Sequence, residues 1–180
     1  MDPLQLFSEW YARAQAEEKH AQNMALATSS SDRPTVRTVE LVRHDDRGFV
    51  FYTGAESRKG RDLAANPRAA LCFYWPETNR QVRIEGRVEA ARLDEEEARL
   101  AEAADARQSE PVADRPDLEA RVAHLRERFG DDAPPVPSDW AAFRVVPVAY
   151  EFWEYRADKL HDRFRFRVDG AGWQVERLFP

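Results

Sequence analysis

The sequence predicts a mostly β protein with flanking helices, an α+β chain whose strands form a closed or nearly closed barrel. Three observations predict it. Short apolar or alternating stretches recur along the chain between clusters of turn residues. Helical spacing is confined to the first residues, to one short segment after residue 56, and to a stretch past residue 94. No repeat or low-complexity linker divides the chain, so residues 1–180 read as one domain.

Asp2, Pro3 and Gln5 read as N-cap, first helical residue and capping-box partner. Leu4, Phe7, Trp10, Tyr11 and Ala14 follow at helical spacing, which predicts a helix to about residue 20 within an N-terminal segment 1–22. Strands are then expected at 24–28, at 35–43 and at 49–53, the last two as a hairpin closed by Asp45-Asp46-Arg47-Gly48. A short helix at 57–65 stops at Asn66-Pro67. Strands follow at 68–75 and 80–91. A helical insertion is expected over 94–129, with helices at 94–104 and 118–129. After a Pro-rich connection, strands at 142–154, 164–168 and 173–178 close the chain, the last two joined at Asp169-Gly170.

The chain has a net charge of −6, with 43% hydrophobic and 33% charged residues. An acidic balance argues against general nucleic-acid binding, which needs a positive surface to displace counterions. No apolar run reaches the length of a membrane span. Met1-Asp2-Pro3-Leu4 has neither the basic nor the apolar region of a signal peptide, and with a single cysteine, Cys72, no internal disulfide forms; the cytoplasm is the expected compartment. Cys72 reads as a small core residue. The chain lacks G-x-G-x-x-G, the P-loop pattern, H-E-x-x-H, paired C-x-x-C and G-x-S-x-G, and its four histidines are dispersed, so no metal site is expected.

Two clusters could carry chemistry. Ser57-Arg58-Lys59 opens a predicted helix just after a strand, where free N–H groups, a hydroxyl and two cations favour an anion; Arg37 reaches the same anion if the strands pair. The bland reading is ordinary soluble surface. The second cluster is Glu151-Phe152-Trp153 with Lys159-Leu160-His161-Asp162-Arg163. On one strand Lys159, His161 and Arg163 would share a face; the bland reading is a charged outer barrel face with Asp162 as a local partner.

The order of several motifs resembles the pyridoxamine 5'-phosphate oxidase family from about residue 2 to 180. They are Arg37-Thr38-Val39-Glu40-Leu41-Val42, Phe51-Tyr52-Thr53, Ser57-Arg58-Lys59, Asn66-Pro67-Arg68, Arg80-Gln81-Val82 with Gly86, Pro137-Ser138-Asp139-Trp140, Leu160-His161-Asp162-Arg163, and a Trp173 to Pro180 ending in Arg177-Leu178-Phe179-Pro180. The resemblance implies an FMN-binding split β-barrel that works as an oxidase. It also implies a homodimer with FMN at the interface, in which 140–180 supplies dimerisation and active-site strands. Residue by residue it implies FMN contacts from Arg37, Thr38, Val39, Tyr52, Thr53, Ser57, Arg58, Lys59, Gln81, Trp153 and Arg163, with Gln108 and Ser109 reaching across the dimer. Lys159 and His161 match a substrate-contacting Arg–His pair. His161 is the acid–base candidate, because imidazole exchanges protons near neutrality.

Three departures from the family pattern fall on the substrate side. Val42 stands where the family has a substrate-contacting lysine, with Arg43 one step on. Lys159 replaces an arginine and loses its bidentate fork. The family's Tyr…Arg-Pro…Ser segment, which holds the substrate phosphate, has no counterpart: the acidic run 101–106 replaces it, with about ten residues deleted relative to the pattern. The phenazine-biosynthesis oxidases are a similar branch, sharing Tyr74-Trp75 and the Arg107 to Glu110 run. The expected substrate is therefore a small, reduced aromatic or heterocyclic molecule without a phosphate. Oxidation of pyridoxamine or pyridoxine 5'-phosphate is the alternative, and a non-catalytic flavin-binding protein is an alternative of another class.

Overall fold

The computed structural model describes residues 2–94, 113–129, 136, 138–170 and 172–180. Helix α1 (Pro3–Glu17) is capped by Asp2, whose Oδ1 accepts from the Leu4 amide at 3.0 Å. The Gln5 side chain bonds Glu9 instead of closing a capping box. The helix ends earlier than expected because Glu18 leaves it: its Oε1 accepts from the amides of Glu77 and Thr78, in the turn between two later strands. Phe7, Tyr11 and Ala14 form the buried stripe.

Strands β1 (Asn23–Ser30) and β2 (Arg33–Glu40) form a hairpin. β3 (Arg43–Asp45) and β4 (Gly48–Gly54) form a second. The expected strand 35–43 is thus two strands with different partners, and only its last residue belongs to the second hairpin. The break closes the barrel: the Leu41 amide still donates to Gln22 beside β1, whereas the Val42 amide donates to Val50 on β4. Adjacent residues bond opposite edges of the sheet, because a bent strand satisfies its buried backbone groups only by exchanging partners.

Helix α2 (Arg58–Ala65) precedes β5 (Arg68–Trp75) and β6 (Arg80–Ala91). α3 (Arg115–Phe129) realises the second expected helix of the insertion; the first, at 94–104, lies largely outside the described residues. β7 (Trp140–Glu154), β8 (Asp162–Asp169) and β9 (Gly172–Arg177) complete the chain. The sheet runs β2-β1-β5-β6-β7-β4-β3, with β8 on β7 and β9 on β8. The fifteen-residue β7 is shared along one edge: residues 140–145 pair with β4 and residues 149–154 with β8.

Inward residues of these strands meet α1 in one core. Phe7 packs edge-on against Phe49 and Phe73, at 4.7 and 5.1 Å between ring centroids. The fully buried Trp75 donates its indole N–H to the Ala21 carbonyl at 3.0 Å. A smaller cluster of Val50, Tyr52, Trp140 and Ala142 takes in Val42. Cys72 is half-buried on the outer face of β5, opposite Arg83, rather than in the core.

Candidate cofactor and substrate site

The sequence-predicted residues fall into two groups on opposite faces of the barrel wall. Antiparallel partners directly across a ladder share a face. Arg37 lies in a transverse row with Leu26, Leu71, Ile84 and Tyr150, all buried, so it belongs to the inner face. Gln81, Trp153 and Arg163 form another row with Tyr74, which is 59% exposed, and belong to the outer face.

The inner group is built where α2 docks on the β1–β2 hairpin. Ser57 caps α2 and its Oγ accepts from the Gly60 amide at 3.3 Å, while Thr53 lies within 3.4 Å of the same hydroxyl. Gly60 is required there, because a Cβ would collide with the Ala55 carbonyl oxygen. Arg37 donates to Thr28 Oγ1 at 2.8 Å, to Thr35 Oγ1 at 2.6 Å and to the Leu26 carbonyl at 3.1 Å. Both hydroxyls also donate to Asp62 on α2, at 2.8 and 3.0 Å, and Arg37 stands 3.7 Å from that carboxylate. The sequence reading missed Asp62. Its only signal was a position three residues past Lys59, on the helix turn that faces the strands.

Burial lowers the pKa of Arg37 most; Asp62 opposes the shift and Arg58 adds to it. Burial also lowers Lys59, and Arg37 lowers it further. The Thr28 hydrogen bond, reinforced by Thr35 and Arg37, holds Asp62 below the usual carboxylate range. Arg37, Arg58 and Lys59 gather around Asp62 at a helix N-terminus, a cationic arrangement of the kind that suits a phosphomonoester. The donor set therefore fits the phosphate of FMN. Strand alternation turns the Thr38 and Tyr52 side chains away from this cluster. The Tyr52 hydroxyl accepts from Arg43 at 2.8 Å and from the Asp94 amide at 3.2 Å. Val39 packs on the core, so at this point Thr38, Val39 and Tyr52 offer backbone rather than side chain.

The outer group surrounds the β7–β8 connection. Arg163 donates to Glu151 at 2.8 Å and to the Phe179 carbonyl at 3.2 Å, and its buried Nε has no partner among the described residues. With the Gln81 amide and the Trp153 ring this makes a flat surface edged by donors, which suits a flavin ring. Lys159 and His161 are not on a strand, as the sequence reading expected; β8 begins at Asp162. A turn carries them, with Lys159 at φ 67° and its amide bonded to the Arg156 carbonyl. The turn nevertheless brings His161 to the outer surface: its ring centroid is 5.0 Å from Trp153 and 5.2 Å from Tyr155. The Arg156 amide donates to His161 Nδ1 at 3.0 Å, so the neutral imidazole carries its proton on Nε2. Asp162, expected as a local partner of the cations in its own segment, pairs with Arg156 and Arg177. Val42 packs in the small aromatic cluster with Val50, Tyr52 and Trp140. Gln108 and Ser109 lie outside the described residues.

Residues 12–156 match the pyridoxamine 5'-phosphate oxidase family, and residues 140–180 match the pyridoxine 5'-phosphate oxidase C-terminal dimerisation region. The chain belongs to the pyridoxamine 5'-phosphate oxidase family. It is an oxidase with FMN as cofactor, and it pairs with a second copy of itself. Among curated relatives, the pyridoxine/pyridoxamine 5'-phosphate oxidase of Gluconobacter oxydans is 46% identical over 189 aligned positions, covering 99% of this chain and 94% of the relative. That of Bordetella petrii is 47% identical, covering 99% and 89%. Among solved structures, PhzG from Burkholderia lata 383, in complex with tetrahydrophenazine-1-carboxylic acid, superposes with a TM-score of 0.84 at 32% identity, covering 99% of this chain and 93% of that one. Among the described residues, no helix is long and apolar enough to cross a membrane, and no group of three or more potential metal ligands forms.

Proposed function

We propose that the protein oxidises a small, reduced aromatic or heterocyclic molecule without a phosphate, with dioxygen as acceptor, at FMN bound between two protomers. The composite site rests on the face separation. One flavin cannot touch the inner and the outer face of the same barrel wall, so the cationic cluster of one protomer and the Gln81–Trp153–Arg163 row of the other supply the two halves. Gln108 and Ser109 are assigned to the flavin, and Lys159 and His161 to the substrate. FMN held by these residues would supply the two-electron redox chemistry that links substrate to acceptor. The protein's own residues bind and orient: His161 presents Nε2–H as a donor, and Lys159 offers a point charge for a carboxylate.

The observation that carries the substrate class is Val42. Where the resemblance expects a substrate-contacting lysine, this side chain is packed in an apolar cluster. Alignment to the Gluconobacter relative, which runs at least nine positions beyond the length of this chain, agrees with the missing phosphate-holding segment. Each lost charge-assisted hydrogen bond costs about 1.5–3 kcal/mol. A second reading, oxidation of pyridoxine or pyridoxamine 5'-phosphate, is favoured by the higher identity to relatives of that name than to PhzG. Anaerobic stopped-flow bleaching of the flavin separates the two. Tetrahydrophenazine-1-carboxylic acid is expected to reduce it faster and at lower concentration than pyridoxamine 5'-phosphate; the reverse order, with micromolar saturation by the phosphate, establishes the second reading.

A further inference from the structure

Tyr155 follows Trp153 by two residues, just past the end of β7, and His161 precedes Arg163 by two, just before β8 begins. The Tyr155 ring meets His161 at 5.2 Å with a 33° interplanar angle and Trp153 at 6.4 Å with 56°. The Lys159 ammonium lies 5.8 Å from the Tyr155 ring centroid. Two rings, Trp153 and Tyr155, therefore meet the histidine assigned to substrate, and the Lys159 ammonium lies against the second of them. The backbone that holds them is fixed: the Tyr155 amide donates to the Asn79 carbonyl at 3.0 Å, and the Arg156 amide to His161 Nδ1 at 3.0 Å. Tyr155 itself is 41% exposed, so ring surface remains for a ligand.

We infer that Tyr155 is a specificity-determining residue that stacks on the planar ring of the substrate and, through its π face, holds Lys159 beside it. The inference rests on the assignment of Lys159 and His161 to the substrate side. A flat apolar ring with an electron-rich face favours a planar heterocycle, and the adjacent ammonium favours an anionic substituent on that ring. A side chain that recognises a ring by stacking acts on binding more than on the chemical step.

The test is anaerobic flavin reduction by tetrahydrophenazine-1-carboxylic acid and by pyridoxamine 5'-phosphate in FMN-loaded wild type, Tyr155→Ala and Tyr155→Phe. The alanine variant is expected to need about five- to tenfold more substrate for half-maximal reduction, a rise larger than any fall in its limiting rate. Phenylalanine is expected to restore most of it, and FMN content to stay at the wild-type level. Unchanged half-saturation in Tyr155→Ala overturns the inference; so does loss of FMN from it, or failure of the phenylalanine to rescue. Because both substrates carry a planar ring, a wild-type preference for pyridoxamine 5'-phosphate defeats the proposed substrate class while the tyrosine is still tested on that substrate.

Discussion

Replacing Asp62 with alanine removes the carboxylate that Thr28, Thr35 and Arg37 share in the inner cluster. Thr28 and Thr35 lose their acceptor, and Arg37 loses its counter-charge at 3.7 Å. Removing one partner of a buried pair costs about 3–5 kcal/mol. The lower end applies, because the two threonine hydroxyls are 3.1 Å apart and can bond each other, and Arg37 keeps partial access to water. At about 2–4 °C per kcal/mol for a chain of this size, the melting temperature of the FMN-free protein should fall by roughly 6–12 °C. With FMN bound the drop should be smaller, since a phosphate supplies the missing negative charge. The pH dependence follows from the depressed pKa of Asp62: its contribution is full above the ordinary carboxylate range and is lost as pH falls through its lower folded value. Wild type and variant should therefore converge in melting temperature on acidification below about pH 4. Thermal melts of both proteins, with and without FMN, across pH 3–7 make the comparison. A variant melting within a degree of wild type at pH 7, or a gap that persists unchanged at pH 3, refutes the reasoning.

Two further outcomes are expected. Arg58→Ala with Lys59→Ala should yield colourless protein that stays folded by circular dichroism, because two of the three cations assigned to the FMN phosphate are gone; full flavin absorbance in that variant sinks the assignment. His161→Ala should slow anaerobic flavin reduction at least tenfold while retaining FMN, since the histidine is assigned to the substrate and not to the cofactor; release of flavin on this substitution would move it to the cofactor.

Much of this architecture was legible in the sequence, and the failures have local causes. β5 and β6 were readable to the residue because an apolar run and an alternating one are bounded by Asn66-Pro67 and by the turn around Asn79. The break between β2 and β3 was not, since Val39 to Arg43 reads as an uninterrupted strand and only a non-local exchange of partner, from Gln22 to Val50, divides it. Lys159 and His161 were assigned to a strand because no glycine or asparagine marks the turn; the available signal was Asp158, whose side chain accepts from the Leu160 amide and lets Lys159 take φ 67°. The motifs named both groups of residues assigned to the flavin, but not that the two groups lie on opposite faces, because faces are fixed by register across strands far apart in sequence. Asp62 was missed for the same reason: Thr28, Thr35 and Arg37, its neighbours in space, come from other elements.

The composite site is tested most directly by mixing two inactive dimers. One carries Arg58→Ala and Lys59→Ala on the inner face, the other Trp153→Ala and Arg163→Ala on the outer face, and neither alone should hold FMN. After subunit exchange, each mixed dimer has one site whose two halves are both intact, one half from each chain. Flavin binding should reappear at about a quarter of the wild-type occupancy per chain for random pairing. If both halves belonged to one protomer, no pairing could restore a site, and exchange that is complete by mass spectrometry yet leaves the mixture colourless contradicts the account.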